Sequence, residues 1–131
     1  MPSSDQLASA INIGIVDDDV SVGKALARLL RGYGYHCVVY ESGEIALEDP
    51  ELLRMQCLVV DIQLTGMDGF EFSKRIDTIG ANIPHIFITA NVDQDAVHTP
   101  DGLGDRILLI KPVDERELLA SIERAMAGPP K

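Results

Sequence analysis

Five short apolar runs, separated by stretches of helical periodicity, constrain the fold of this chain more than any other feature. Several of the runs lack polar alternation, which is typical of parallel strands covered by helices on both faces. A regular strand–helix succession predicts an α/β fold in which a parallel sheet is doubly wound. The runs are INIGIV (11–16), HCVVY (36–40), CLVVD (57–61), HIFITA (85–90) and RILLI (106–110).

Residues that favour helix starts precede four of the helical stretches. Asp19 and Ser42 are expected to cap the first two helices, because their side chains can accept from free backbone N–H groups. Asp68 and Asp114 are each followed three residues later by glutamate, a pattern typical of a capping box. The expected apolar faces are Val22, Leu26, Leu29, Leu30 and Tyr33 before Gly34; Phe72, Ile76 and Ile79; and Leu118, Leu119, Ile122 and Met126. The second helix should end after Leu47, near Pro50.

The helical stretch after the fourth run has an unfavourable composition. Residues 91–105 contain Pro100, Gly102 and Gly104 in their second half. Proline and glycine destabilise a helix interior by about 3 and 1 kcal/mol. We therefore expect a short or irregular fourth helix that gives way to a loop.

Length and charge restrict the class of protein. The 131 residues predict one domain over 11–127, with a flexible segment at 1–10 and a tail or linker stub at 128–131. The formal net charge of −10 disfavours direct binding to nucleic acid or to anionic membranes. No apolar run is long enough to cross a bilayer, and the N-terminus lacks signal-peptide features, so we expect a cytoplasmic protein.

Cys37 and Cys57 lie in apolar runs. We expect both to be buried thiols on strands separated by the first strand, about 10 Å apart and too distant for a disulfide.

Polar side chains follow the predicted strands at their carboxyl ends. Asp17 and Asp18 follow the first strand, Asp61 ends the third, Thr89 lies at the end of the fourth and Lys111 follows the fifth. In doubly wound sheets, ligands bind at this edge. Three carboxylates favour a hard divalent cation such as Mg²⁺, while a hydroxyl and an ammonium group suit phosphoryl oxygens. Asp61, which lies centrally, is then the candidate nucleophile toward phosphorus.

The segments IVDDD, LVVDIQLTGMDGFE, FITA and LLIKPV, in this order, resemble the receiver domain of two-component response regulators. The resemblance extends over about residues 11–127. It implies a flavodoxin-like (βα)5 fold with strand order 2-1-3-4-5. It also implies that Asp61 accepts a phosphoryl group from the phosphohistidine of a histidine kinase or a histidine phosphotransfer protein. The domain would catalyse its own phosphorylation and dephosphorylation.

The resemblance also assigns roles to individual residues. Asp18 and Asp61 would ligate Mg²⁺, with Mn²⁺ as an alternative ion, together with the backbone carbonyl of Gln63. Asp17 would act through water or from the second shell of ligands. Thr89 would follow the phosphoryl group as a switch residue and Lys111 would pair with its oxygens. The bond before Pro112 would be cis, as is common in this family.

Two positions depart from the family pattern. Thr65 replaces the usual proline, a mild change in a loop, and Leu108 replaces the aromatic switch residue three positions before Lys111. Leucine has no ring that could swing inward with Thr89. Leu108 is equally consistent with an ordinary core residue, so an altered switch and an unaltered one both remain open.

Two other functions remain as alternatives. A receiver-like adaptor would dock to its partner without being phosphorylated. A phosphatase of the haloacid dehalogenase type would use DIQLT (61–65) as its nucleophile motif, although Gln63 replaces the required acid/base aspartate and the motif ends the third strand rather than the first. The downstream partner is unknown: the domain could signal by protein contact, by phosphorylation-dependent dimerisation or through an effector domain missing from this sequence.

Overall fold

The computed structural model describes residues 11–90 and 107–127, and these residues form a five-stranded parallel sheet. The strand order is β2-β1-β3-β4-β5, so the predicted order 2-1-3-4-5 and the doubly wound α/β fold are confirmed. The strands are β1 (Asn12–Val16), β2 (His36–Tyr40), β3 (Cys57–Asp61), β4 (His85–Thr89) and β5 (Ile107–Ile110).

Four described α-helices connect and cover the strands, and each begins after the residue predicted to cap it. The Asp19 carboxylate accepts from the amides of Ser21 and Val22, and the Ser42 hydroxyl accepts from that of Ile45. Asp68 and Asp114 accept from the N–H groups of the glutamates three residues later. The helices are α1 (Val20–Gly32), α2 (Gly43–Glu48), α3 (Gly69–Ile79) and α4 (Glu115–Ala127).

The sheet separates two apolar clusters, and neighbouring residues of one strand point into opposite ones. Ile13 and Ile15 belong to the cluster under α1 and α4, which also contains Leu26, Leu30, Leu118 and Ile122. Val16, Leu58 and Val60 belong to the cluster under α2 and α3, with Phe72, Ile76 and Phe87. A sheet buried on both faces explains why the strands read as continuous apolar runs rather than as alternating ones.

Local differences from the sequence prediction occur at helix ends. Residues Pro50–Arg54 form a 3₁₀ helix that was not predicted, capped by the Asp49 carboxylate on the amide of Glu51. Tyr33 and Ile79, which helical spacing placed on the apolar faces, are 58% and 57% exposed. Tyr33 lies beyond the last residue of α1, and its hydroxyl donates to Glu115 of α4.

Cys37 and Cys57 are buried free thiols, as predicted. Each is paired in register with Ile13, from opposite sides of β1, so two strand spacings separate them. Burial raises the pKa of Cys37 to about 11 and that of Cys57 to about 12. Both thiols therefore stay protonated near neutral pH.

No helix among the described residues has both the length and the apolar character needed to span a bilayer. The expected irregular fourth helix (91–105), the N-terminal segment (1–10) and the tail (128–131) lie outside the described residues.

Candidate functional site

Asp61 lies at the carboxyl end of β3, the central strand, and is only 4% exposed. Its two carboxylate oxygens have different partners. Oδ1 accepts from the backbone N–H of Gln63 at 2.9 Å, and Oδ2 accepts from the Lys111 ammonium at 2.9 Å. The side chain is thus held in one orientation at the edge where the sequence predicted the site.

Asp17, at the end of β1, is fully buried beside the same lysine. Its Oδ1 accepts from the Asp19 amide at 2.9 Å, while its Oδ2 lies 3.4 Å from Lys111 Nζ and makes no hydrogen bond to any described residue. Burial raises the pKa of the Asp17 carboxyl, the Asp19 amide offsets part of this rise, and the charge of Asp61 adds to it. The carboxylates of Asp17 and Asp61 together therefore carry more negative charge than the single ammonium of Lys111 can neutralise.

Lys111 follows β5 and contacts both buried carboxylates. Burial alone would lower the pKa of its ammonium, but the hydrogen bond to Asp61 and the charges of Asp61 and Asp17 outweigh this, so the pKa is raised. Lys111 consequently stays charged around neutral pH. Its backbone N–H donates to the Thr89 carbonyl at 2.8 Å, and the Lys111–Pro112 bond is cis, as expected.

Asp18 is exposed and reaches across to the loop that follows β3. Its Oδ2 accepts two hydrogen bonds from Thr65, one from the backbone N–H at 3.1 Å and one from the hydroxyl at 2.7 Å. Apart from threonine in place of the usual proline at position 65, nothing in the sequence indicated this contact. Thr65 therefore places two donors next to a predicted metal ligand.

The remaining predicted residues lie at the ends of the strands, or within them, as their sequence positions indicated. Thr89, fully buried, ends β4 beside β3, and Gln63 is exposed two residues after Asp61. Leu108 is paired in register with Phe87 and packs, partly buried, against the cluster under α2 and α3. The described chain therefore brings the predicted carboxylates, hydroxyl and ammonium to one edge, while Leu108 lies in the strand below that edge.

Two glycines shape the loop between β3 and α3, and sequence reasoning missed both. A Cβ on Gly69 would lie 2.5 Å from the Asp61 carbonyl oxygen, so only glycine lets α3 start this close to the end of β3. Gly66 has φ +79°, and a Cβ there would also meet the Glu44 carboxylate. Glu44 accepts from the Met67 amide at 3.2 Å, which fixes the far side of the loop.

The donor set fits a divalent cation. Asp17, Asp18 and Asp61 each offer a carboxylate oxygen, and these three oxygens lie within 4.8 Å of one another. Oxygen ligands of this kind suit Mg²⁺, which is held by a few carboxylates and retains waters. Asp17 Oδ2 is a second indication: it is buried, makes no hydrogen bond to any described residue, and shares the single Lys111 ammonium, 3.4 Å away, with Asp61.

The geometry agrees with comparisons to known proteins. The sequence profile of the response regulator receiver domain matches residues 13–123. The chain belongs to this family. The transcriptional regulatory protein ZraR of Escherichia coli K12 is 34% identical over 117 residues, which cover 89% of this chain and 26% of ZraR. This receiver thus spans about a quarter of the length of that relative.

Solved structures of similar proteins show the same fold. A response regulator receiver protein from Burkholderia phymatum is 33% identical, with a TM-score of 0.76 and coverage of 89% of this chain and 95% of that one. The chemotaxis protein CheY4 of Vibrio cholerae is 23% identical, with a TM-score of 0.80 and coverage of 89% and 99%. The predicted family and flavodoxin-like fold are therefore confirmed.

Proposed function

We propose that this receiver accepts a phosphoryl group on Asp61 from the phosphohistidine of a histidine kinase or a histidine phosphotransfer protein, in a Mg²⁺-dependent reaction. The observation that supports this best is the arrangement around Asp61. Its buried carboxylate lies between the Gln63 amide and the Lys111 ammonium, with two further carboxylates within 4.8 Å. This is a nucleophile fixed next to a cation site.

In the proposed transfer, an Asp61 carboxylate oxygen attacks phosphorus in line with the P–N bond of phosphohistidine. The new P–O bond forms as the P–N bond breaks, and the imidazole leaves with the electron pair. Lys111 moves its hydrogen bond from Asp61 Oδ2 to a phosphoryl oxygen, where its charge stabilises the transition state. Thr89 donates its hydroxyl to another phosphoryl oxygen.

Asp18, Asp61 and the Gln63 carbonyl would hold the cation, with Asp17 acting through water. The cation, Mg²⁺ or alternatively Mn²⁺, would supply positive charge against the phosphoryl oxygens. Asp17 and Asp61 carry the negative charge that makes this cation favourable, because Lys111 alone does not balance them.

The readout of phosphorylation is proposed to be weaker at β5 than in receivers with an aromatic switch. Leu108 packs partly buried against the cluster under α2 and α3 and offers no ring to reorient. Phosphorylation would shift the balance between two existing conformations, and a protein partner, a second copy or an attached effector would recognise the favoured one. The domain would act in the cytoplasm, as expected from the sequence. Its net charge of −10 supports signalling through proteins rather than by contact with nucleic acid or membranes.

The test is intact mass after incubation with acetyl phosphate, with and without Mg²⁺. We expect one added phosphoryl group, lost in Asp61→Asn and lost without Mg²⁺. Asp68→Asn is the matched control: Asp68 caps α3 and asparagine caps helices equally well, so this variant should be labelled like the parent.

Short time points distinguish rapid hydrolysis from inertness. If no label appears at any time, the phosphorylation-independent adaptor replaces the receiver chemistry. Steady multiple turnover of an organic phosphate ester would instead support the phosphatase alternative.

A further inference from the structure

The hydroxyl and backbone N–H of Thr65 both donate to one oxygen of Asp18, from a residue 47 positions away in sequence. The 2.7 Å O–H···O distance is that of a well-formed hydrogen bond and is compatible with a charged acceptor. Two donors on Oδ2 occupy both of its lone pairs. Among residues 11–90 and 107–127, no donor hydrogen-bonds to the other oxygen, Oδ1, which is thus the one left to bind a cation.

Asp18 is exposed, so its side chain would otherwise sample several rotamers. Fixing it before a cation arrives removes an entropy cost from the binding step. Neutral donors achieve this without cancelling the negative charge. Hydrogen bonds of this kind, made to a ligand by a residue that does not itself touch the metal, commonly change metal affinity by about 10- to 100-fold.

Thr65 can act in this way because its own loop is fixed. The next residues are tied to the N-terminus of α2: Glu44 accepts from the Met67 amide at 3.2 Å, and Gly66 leaves room for the same carboxylate. Asp18 is therefore held against an anchored segment and not against a freely moving one. The proline usual at position 65 in receivers has neither an N–H nor a hydroxyl, so it could make neither bond.

We propose that Thr65 is a positioning residue that raises the divalent-cation affinity of the site by fixing the Asp18 carboxylate. The proposal rests on the Mg²⁺ site of the proposed function. The loop after β3 would then help to determine what fraction of the unphosphorylated domain has the cation bound.

The test is a MgCl₂ titration of the unphosphorylated full chain, followed through the backbone amide chemical shifts around Asp18 and Gln63. Thr65→Ser keeps both donors and should bind within about twofold of the parent. Thr65→Val is close in shape and keeps only the N–H, so we expect about tenfold weaker binding. Thr65→Pro removes both donors and should weaken binding further.

Controls separate positioning from general loosening of the loop. Thr65→Val should melt within a few degrees of the parent without Mg²⁺, since residue 65 is exposed. Glu44→Ala releases the other side of the same loop and should lose less affinity than Thr65→Val. If Thr65→Val and Thr65→Pro bind Mg²⁺ as tightly as the parent, or if Glu44→Ala loses as much as Thr65→Val, the proposal is overturned. A parent protein that binds no Mg²⁺ would overturn both this proposal and the metal site itself.

Discussion

Strands β3 and β5 each bring one charged residue to the same edge of the sheet, but their surroundings differ. Every residue of β3 is buried, and the strand lies at the centre of the sheet. In β5, an edge strand, only Leu109 is buried and Ile110 is 52% exposed. The proposed nucleophile Asp61 therefore stands on a fully buried strand, while Lys111 follows a strand that is mostly only partly buried.

The difference between β3 and β5 shows how one edge of a sheet can hold one group rigidly and allow another to move. A group that must meet phosphorus at a defined angle gains from a fixed backbone. A group that must move its contact from a carboxylate to a phosphoryl oxygen gains from a strand whose displacement costs less free energy. The Lys111 amide nevertheless donates to the Thr89 carbonyl. A movement of β5 would therefore also displace the end of β4.

Among the tests that compare β3 with β5, Lys111→Met should have the largest effect, on the rate of phosphorylation. Removing one charged donor from the transition state typically slows a reaction by about 10²–10³-fold, so labelling by acetyl phosphate should slow by that factor without vanishing. Time courses of intact mass would measure it, with Lys24→Met on the exposed face of α1 as the control. Complete absence of label, as in Asp61→Asn, would mean that the end of β5 is as indispensable as the end of β3.

A matched pair of core truncations tests the packing difference directly. Leu58 on β3 is fully buried and Leu108 on β5 only partly, and both contact the same apolar cluster. Leu58→Ala should lower the free energy of unfolding by about 3 kcal/mol and Leu108→Ala by about 1 kcal/mol. Urea denaturation followed by circular dichroism would measure both. Equal losses would show that β5 is packed as firmly as β3.

The smallest effect concerns the readout. On phosphorylation, backbone chemical shifts in β5 should change little in the parent and more in Leu108→Tyr, because tyrosine restores a ring that can reorient. Shifts at Val59 and Val60 of β3 serve as the internal reference and should respond alike in both proteins. A large rearrangement of β5 in the parent would contradict the proposed weak switch and favour Leu108 as an ordinary core residue.

Much of the fold followed from local sequence. Apolar runs without alternation identified the ends of each strand to within one residue. Asp19, Ser42 and Asp68 marked helix starts because capping depends on neighbouring N–H groups. The 3₁₀ helix at Pro50–Arg54 escaped notice, since such a short element carries no periodicity. Tyr33 and Ile79 were placed on apolar faces because spacing alone does not show where a helix leaves the sheet.

The sequence by itself determined which groups reach the carboxyl edge, because parallel strands all end there and each strand carries its terminal residue with it. Only the tertiary structure decided how those groups are held. The hydrogen bonds from Thr65 to Asp18 and the contact between Glu44 and Met67 join segments 47 and 23 residues apart. The close approach of Gly69 to Asp61 likewise depends on how α3 packs against β3. Such contacts depend on the relative placement of loops, which no local pattern of residues encodes.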